Sequence, residues 1–357
     1  MVHDHTDWKW QIANRIATLE DLEPHIDLTD EERSAFQGDM PLSFAVTPHY
    51  ARLLGHSALR RTVIPTVNEN TLGTGELVDP LGEEQHRATP HLIHTYPDKV
   101  LFLATTFCST YCRYCTRSRI VGKQPADFRA LEESFNYIEA HREIRDVLIS
   151  GGDPLTLTDS VLDELLSRIR KIPHVRMVRI GSKVPVVLPM RITEDLCGIL
   201  RKHRVWLSLH FIHAAELSPE TRDACRKLSD HGIGMVSQTV LLKDINDDAQ
   251  TLIDLFYGLL EINVKPYYLL QCDPVQGSAH FRTPVEKGIE LIRSLHGNIS
   301  GLAVPQFVID APGGGGKVPL LGSEQIRRDG DEVVFLNYKG EEYRYPDPLR
   351  QTAETGG

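Results

Sequence analysis

The run Val100-Leu101-Phe102-Leu103-Ala104-Thr105-Thr106-Phe107-Cys108-Ser109-Thr110-Tyr111-Cys112-Arg113-Tyr114-Cys115 joins an apolar, strand-like stretch directly to a loop with cysteines spaced C-x3-C-x2-C. That spacing lets one short loop place three thiolates on three irons of a [4Fe–4S] cube. The fourth iron is then left without a protein ligand and open to a small molecule. Thiolates suit iron–sulfur clusters, whereas a closed structural zinc site needs a fourth protein ligand that this loop lacks. The bland alternative is three unconnected thiols in a loop. Half of the chain's six cysteines fall within eight residues, which weighs against it.

Outward from that loop the chain alternates. Apolar runs at Val100–Thr105, Asp146–Ser150, Val175–Ile180, Val205–Phe211, Gly234–Val240 and Val264–Leu270 are separated by helical stretches near 127–141, 159–171, 193–202, 218–230 and 247–261. Six strands joined by helices of that length imply a parallel sheet with right-handed crossovers. The short spacing favours a closed or partly closed barrel, with an open doubly wound sheet as the alternative. In a barrel, functional residues sit at the C-terminal ends of strands. The cysteine loop follows the first run, Gly151-Gly152-Asp153 the second and Asp273 the sixth. Upstream, Trp8, Ile12, Ile16 and Leu19 recur at helical steps, and Thr29 precedes Asp30-Glu31-Glu32 as a helix cap. The expected division is a helical region over 1–95, a barrel over 96–300 and a C-terminal segment over 301–357, its tail frayed from Asp347 to Gly357.

A chain of 357 residues can bury a large core, and 41% apolar with 25% charged residues describes an ordinary soluble protein. A net charge of −10 without a long basic run argues against a nucleic-acid partner. No apolar run approaches the ~18 residues of a membrane span, and Met1–Trp10 lacks the features of a secretory signal. Clustered cysteines in a long chain read as metal chemistry in a reducing compartment, so a cytoplasmic protein is expected.

A second motif is Asp310-Ala311-Pro312-Gly313-Gly314-Gly315-Gly316-Lys317. Four consecutive glycines cost backbone entropy, so either something approaches that backbone closely or positive φ angles are required. A phosphate-binding P-loop would need Gly in place of Ala311 and Ser or Thr in place of Val318. Two readings remain. One is a surface turn with a solvated lysine; the other is a Schiff-base lysine for pyridoxal phosphate, with the loop N–H groups available to its phosphate.

Taken together, the cysteine loop, Gly151-Gly152-Asp153 and Pro312–Lys317 resemble the lysine 2,3-aminomutase family of radical S-adenosylmethionine (SAM) enzymes. The similarity runs from Trp8 to about Leu321 and includes Tyr96-Pro97-Asp98, Gln271-Cys272-Asp273 and His280-Phe281-Arg282-Thr283-Pro284-Val285. The resemblance implies an α/β fold, a partial (β/α)6 radical-SAM barrel with an N-terminal helical extension and a C-terminal segment carrying the pyridoxal lysine. It implies three cofactors, a [4Fe–4S] cluster, SAM and pyridoxal phosphate, and an isomerase that moves the α-amino group of L-lysine to C3, giving β-lysine.

Carried over by position, Cys108, Cys112 and Cys115 would bind the cluster and Lys317 the pyridoxal phosphate. Tyr114, Gly151, Gly152, Asp153, His210 and Gln238 would contact SAM, although Asp153 in its Gly-Gly-Asp-Pro turn could equally cap the next helix. Arg117 would bind the substrate α-carboxylate, for which a planar two-pronged cation is suited. Asp273 and Asp310 would hold a distal ammonium. In relatives acting on glutamate these positions are not both acidic, so a basic amino acid substrate is expected. The family further implies an electron donor such as flavodoxin or ferredoxin, and leaves a homo-oligomer open.

The chain also departs from the family. Thr95 and Lys99 stand where the best-known members carry two arginines near the cofactor phosphate, which leaves Lys99 as the charged contact. Leu270 replaces a tyrosine of some lysine enzymes. Zinc is not expected, because the mid-chain ligand position is Asp248 and no cysteine follows Cys272. Cys197, Cys225 and Cys272 then read as small buried hydrophobes. The alternatives within the class are an arginine 2,3-aminomutase and a β-lysine-forming enzyme for translation-factor modification. In a different class stands an iron–sulfur electron carrier or sensor, which gives no reason for Lys317, Asp273 and Asp310 to occur together.

Overall fold

Strand and helix alternate through a 10-stranded sheet whose neighbours follow the order of the chain. The computed structural model describes residues 5–38, 40, 42–123, 131–320, 327–330, 332–337 and 339–346. The tail expected to fray and the first positions of the helix expected near 127–141 lie outside these residues. Strands β1 (Arg87–Thr89) and β2 (Leu92–Tyr96) pair antiparallel and lead onto β3 (Lys99–Thr105). From β3 every neighbour is parallel: β4 (Asp146–Gly151), β5 (Met177–Ser182), β6 (Trp206–His210), β7 (Gly234–Leu241), β8 (Lys265–Gln271) and β9 (Gln306–Ala311).

Helices Leu131–Ala140, Asp159–Arg170, Glu194–Lys202, Pro219–Asp230, Ala249–Leu260 and Val285–Leu295 fill the six crossovers. The result is six strand–helix units closed by a further parallel strand, with β10 (Gly316–Pro319) antiparallel on β9. Among the described residues no ladder joins β1 to β10, so the barrel is partial. A separate antiparallel sheet, β11 (Arg327–Asp329), β12 (Glu332–Leu336) and β13 (Glu342–Pro346), is mostly exposed. No described helix is long and apolar enough to cross a membrane.

Strands of the large sheet extend beyond the barrel segment read from the sequence. β9 lies in the stretch assigned to the C-terminal segment, and β1 and β2 begin in the region read as helical. At three and five residues, β1 and β2 are too short to show a period. Elsewhere local signals sufficed. Thr29 and Glu32 form a reciprocal capping box on the helix Asp30–Gln37. Asp248 caps Ala249–Leu260 by accepting from the Thr251 N–H at 2.9 Å.

The pleat sorts the barrel into two layers, because successive side chains on a strand point to opposite faces. Val147, Ile149, Val178, Ile180, Leu207 and Leu209 are fully buried and share the main core with Leu162, Leu166, Leu196, Leu200 and Leu228 of the covering helices. Burying each such side chain is worth roughly 1.5–3 kcal/mol. The intervening positions, Asp146, Leu148 and Ser150, Arg179 and Gly181, Ser208 and His210, instead line an interior cavity. Tyr50, Leu59 and Val63 of the helices Pro48–Ala51 and Ser57–Val63, and Leu54 of the turn between them, join the same core.

Candidate active site

Each site residue named from the sequence lines one cavity of about 690 Å³ inside the barrel. The cysteine loop, leaving the C-terminal end of β3, supplies one wall. Cys108, Cys112 and Cys115 are all unpaired thiols there. Burial pushes the three thiols up, Cys115 to about 11, so only a bound cation would hold them as thiolates. No three His, Cys, Asp or Glu side chains among the described residues converge on a single ion. Three thiols on one cavity wall fit a multi-iron body with an open corner.

The loop is seated by close backbone contacts. A Cβ on Gly152 would fall 2.3 Å from the Phe107 carbonyl oxygen, and Gly151 adopts φ +115°. Both positions therefore require glycine. From the other side, Arg113, with no exposed side-chain surface, donates through Nε to Glu69 (2.9 Å), through Nη2 to the Leu42 carbonyl (3.0 Å) and through Nη1 to the Ser43 carbonyl (3.1 Å).

Next to the thiols, Tyr114 Oη and His210 Nε2 are hydrogen-bonded at 2.9 Å, and burial holds the His210 imidazole well below its usual range and hence neutral. Gln238 donates to Ser208 Oγ at 2.8 Å. Asp153 borders the cavity, but its carboxylate accepts from Ser182 Oγ (2.8 Å), Lys183 N (2.7 Å) and Leu155 N (3.1 Å). The capping alternative for Asp153 is thus realised, and its oxygens are committed to the protein.

At the opposite wall, Lys317 sits on β10 directly across the ladder from Asp310 on β9, and its Nζ is ion-paired with that carboxylate. The Lys317 N–H donates to Tyr96 Oη at 2.8 Å. This lysine is a strand residue facing the cavity, which excludes the solvated-turn reading. Asp273, at the end of β8, is pushed up to about 7, by burial first and then by the negative charge of Asp310, with Lys317 and Arg117 opposing. Lys99 lies 3.9 Å over the Tyr96 ring at the start of β3.

Arg117 is less free than its sequence suggested. Its Nε donates to Glu83 Oε1 at 2.9 Å and its Nη1 to Ser150 Oγ at 3.3 Å. Glu83 and Ser150 were not singled out from the sequence. Glu83 stands in Leu81-Gly82-Glu83-Glu84, a turn without period or motif, and only its partner across the fold gives it meaning. Lys183, another cavity residue, pairs with the buried Glu216 at 2.5 Å, and Glu216 also accepts from Tyr50 Oη at 2.8 Å.

Comparison with known proteins bears on this arrangement. The family profile described as lysine-2,3-aminomutase matches residues 292–356, and that of the radical SAM superfamily matches residues 102–256. The chain is 43% identical to the L-lysine 2,3-aminomutase of Fusobacterium nucleatum over 98% of its length and 84% of the relative's. It is also 43% identical to that of Clostridium subterminale, covering 98% and 86% of the two chains. The glutamate 2,3-aminomutase of Clostridioides difficile is 37% identical over 96% of this chain and 83% of its own. Among solved structures, anSMEcpe with bound AdoMet and a Cp18Cys peptide is a distant likeness, with a TM-score of 0.44 at 13% identity over 56% of this chain and 58% of that one.

Proposed function

The chain belongs to the lysine 2,3-aminomutase family of radical SAM enzymes, and on that premise we propose that it moves the α-amino group of L-lysine to C3, giving β-lysine. The observation that carries the reading is one cavity lined by three thiols, a lysine and a pair of carboxylates. Cys108, Cys112 and Cys115 would hold the cluster; Tyr114, His210 and Gln238, with the glycine turn Gly151-Gly152, would wall the SAM site; Asp153 would brace that wall. Lys317 would carry pyridoxal phosphate, with Lys99 toward its phosphate. When bound, these groups supply a strongly reducing electron, a hydrogen-abstracting adenosyl group and a π-system that delocalises the unpaired electron while nitrogen migrates.

The protein's share is placement and charge. Arg117 offers its remaining N–H groups to the substrate α-carboxylate. Asp273 and Asp310 together meet a distal ammonium, which needs both compensating charge and several acceptors once desolvated. Held at both ends, the substrate keeps its reacting carbon in one position. Asp310 also pairs with the Lys317 amine whenever that amine is free, since the two face each other across the ladder. An electron-donor protein such as flavodoxin or ferredoxin would serve the cluster.

The Asp273 and Asp310 carboxylates favour lysine over glutamate, whose side-chain carboxylate would bring a further negative charge to the same wall. The test is anaerobic reconstitution with iron, sulfide, pyridoxal phosphate and SAM, followed by mass spectrometry of β-isomers formed from lysine, arginine and glutamate. Lysine turnover is expected to dominate; preferential turnover of glutamate would overturn the reading. Lys317→Ala is expected to abolish β-lysine formation and bound pyridoxal absorbance with iron content unchanged. Retained turnover without an added amine would remove Lys317 from its role.

A further inference from the structure

Glu83 is about 5% exposed and lines the cavity. Its Oε1 accepts from Arg117 Nε at 2.9 Å and lies 2.6 Å from Arg117 Nη2, while its Oε2 accepts from Arg119 Nη2 at 2.7 Å. One carboxylate therefore closes one edge of the Arg117 fork and ties it to a second arginine. Arg119 is in turn anchored by Asp79 at 3.4 Å and Glu84 at 3.3 Å. Asp79 also accepts from the backbone N–H groups of Glu83 (3.2 Å) and Glu84 (2.9 Å), which fixes the turn that presents Glu83. Burial alone would push the Glu83 carboxyl up, but the two arginines more than reverse this, and it stays ionised below the usual range.

A guanidinium has five N–H donors in a rigid fork. With the Nε edge taken by Glu83 and Ser150 accepting from Nη1, the N–H groups left for a ligand lie on the terminal Nη1/Nη2 side. The same turn also meets the glycine-rich loop: the Gly313 N–H donates to the Pro80 carbonyl at 3.0 Å, and the His86 ring, held on the Gly82 carbonyl at 2.9 Å, packs against Gly314. The segment that orients Arg117 thus also rests against the loop leading to Lys317.

We infer that Glu83 is a positioning residue for carboxylate recognition: it locks Arg117 so that the free end of its fork faces the substrate, and registers that clamp against the loop bearing Lys317. This rests on the proposed role of Arg117. Glu83→Gln keeps the shape but gives one amide where two arginines need an acceptor, so one arginine faces a donor instead of an oxygen.

The test is calorimetric binding of L-lysine and of L-lysinamide, whose α-carboxylate is neutralised, to the cofactor-loaded, unreduced enzyme. In the unaltered enzyme a charge-assisted carboxylate contact predicts a preference for lysine of about ten- to a hundredfold. Glu83→Gln is expected to shrink that preference to within about threefold by weakening lysine binding alone, with iron and pyridoxal contents unchanged. Glu83→Asp, which keeps the charge but retracts it, is expected to fall between. A preference retained in full by Glu83→Gln, or equal weakening of both ligands, overturns the inference on Glu83 alone. No preference in the unaltered enzyme overturns the role of Arg117 and the inference with it. Should Glu83→Gln not fold, an undiminished preference in Glu83→Asp overturns the inference.

Discussion

Asp273→Asn is the sharpest probe of how the cavity recognises a cation. The Asp273 carboxyl is pushed up to about 7, by burial first and then by the charge of Asp310, with Lys317 and Arg117 opposing. Below that value Asp273 is neutral, and a bound ammonium must displace its proton. Affinity therefore falls as pH falls, by about tenfold per unit once Asp273 is mostly protonated. A suitable ligand is 6-aminohexanoate, whose carboxylate and ammonium keep their charges between pH 5.5 and 8 and which has no α-amine to titrate.

For a midpoint of 7, the ionised fraction of Asp273 drops about thirtyfold from pH 8 to 5.5, and affinity should follow it. Calorimetry of the loaded, unreduced enzyme in two buffers of different ionisation enthalpy reads both the affinity and close to one proton released near pH 6. Asp273→Asn should bind weakly at every pH and release no proton. A pH-independent affinity in the unaltered enzyme, or the same slope in Asp273→Asn, would refute the assignment of the ammonium to this carboxylate.

Two further outcomes concern the cysteine loop. Gly152→Ala puts a Cβ 2.3 Å from the Phe107 carbonyl oxygen, so the residue before Cys108 must move; a loss of about 1–3 kcal/mol in stability and lower iron content per chain are expected, and an unchanged melting temperature and iron content would contradict it. Glu69→Ala leaves the fully buried Arg113 guanidinium without its counter-charge; a loss of about 3–5 kcal/mol is expected in urea unfolding, and a loss below about 1 kcal/mol would mean that the Leu42 and Ser43 carbonyls suffice.

The two motifs and the strand–helix alternation were legible because their information is local. C-x3-C-x2-C is a property of eight consecutive residues, and the capping box at Thr29 of four. Short β1 and β2, and β9 ahead of the glycines, carried too little period to be read. Asp153 shows the limit at the site itself: its turn permitted both a ligand and a cap, and only the positions of Ser182 and Lys183, brought alongside by β5, show its oxygens to be engaged.

What the sequence by itself determined was the chemistry available: three thiols on one loop, a lysine after four glycines, and a strand–helix repeat that forces a parallel sheet. What only the tertiary structure decided was which groups share a charge environment. Lys317 meets Asp310 through the antiparallel register of β10 on β9, and Arg117 meets Glu83 across a gap of 34 residues. Such meetings depend on strand order and pleat direction, which emerge only when the whole sheet is assembled; a residue's neighbours along the chain carry no record of the charge that will face it.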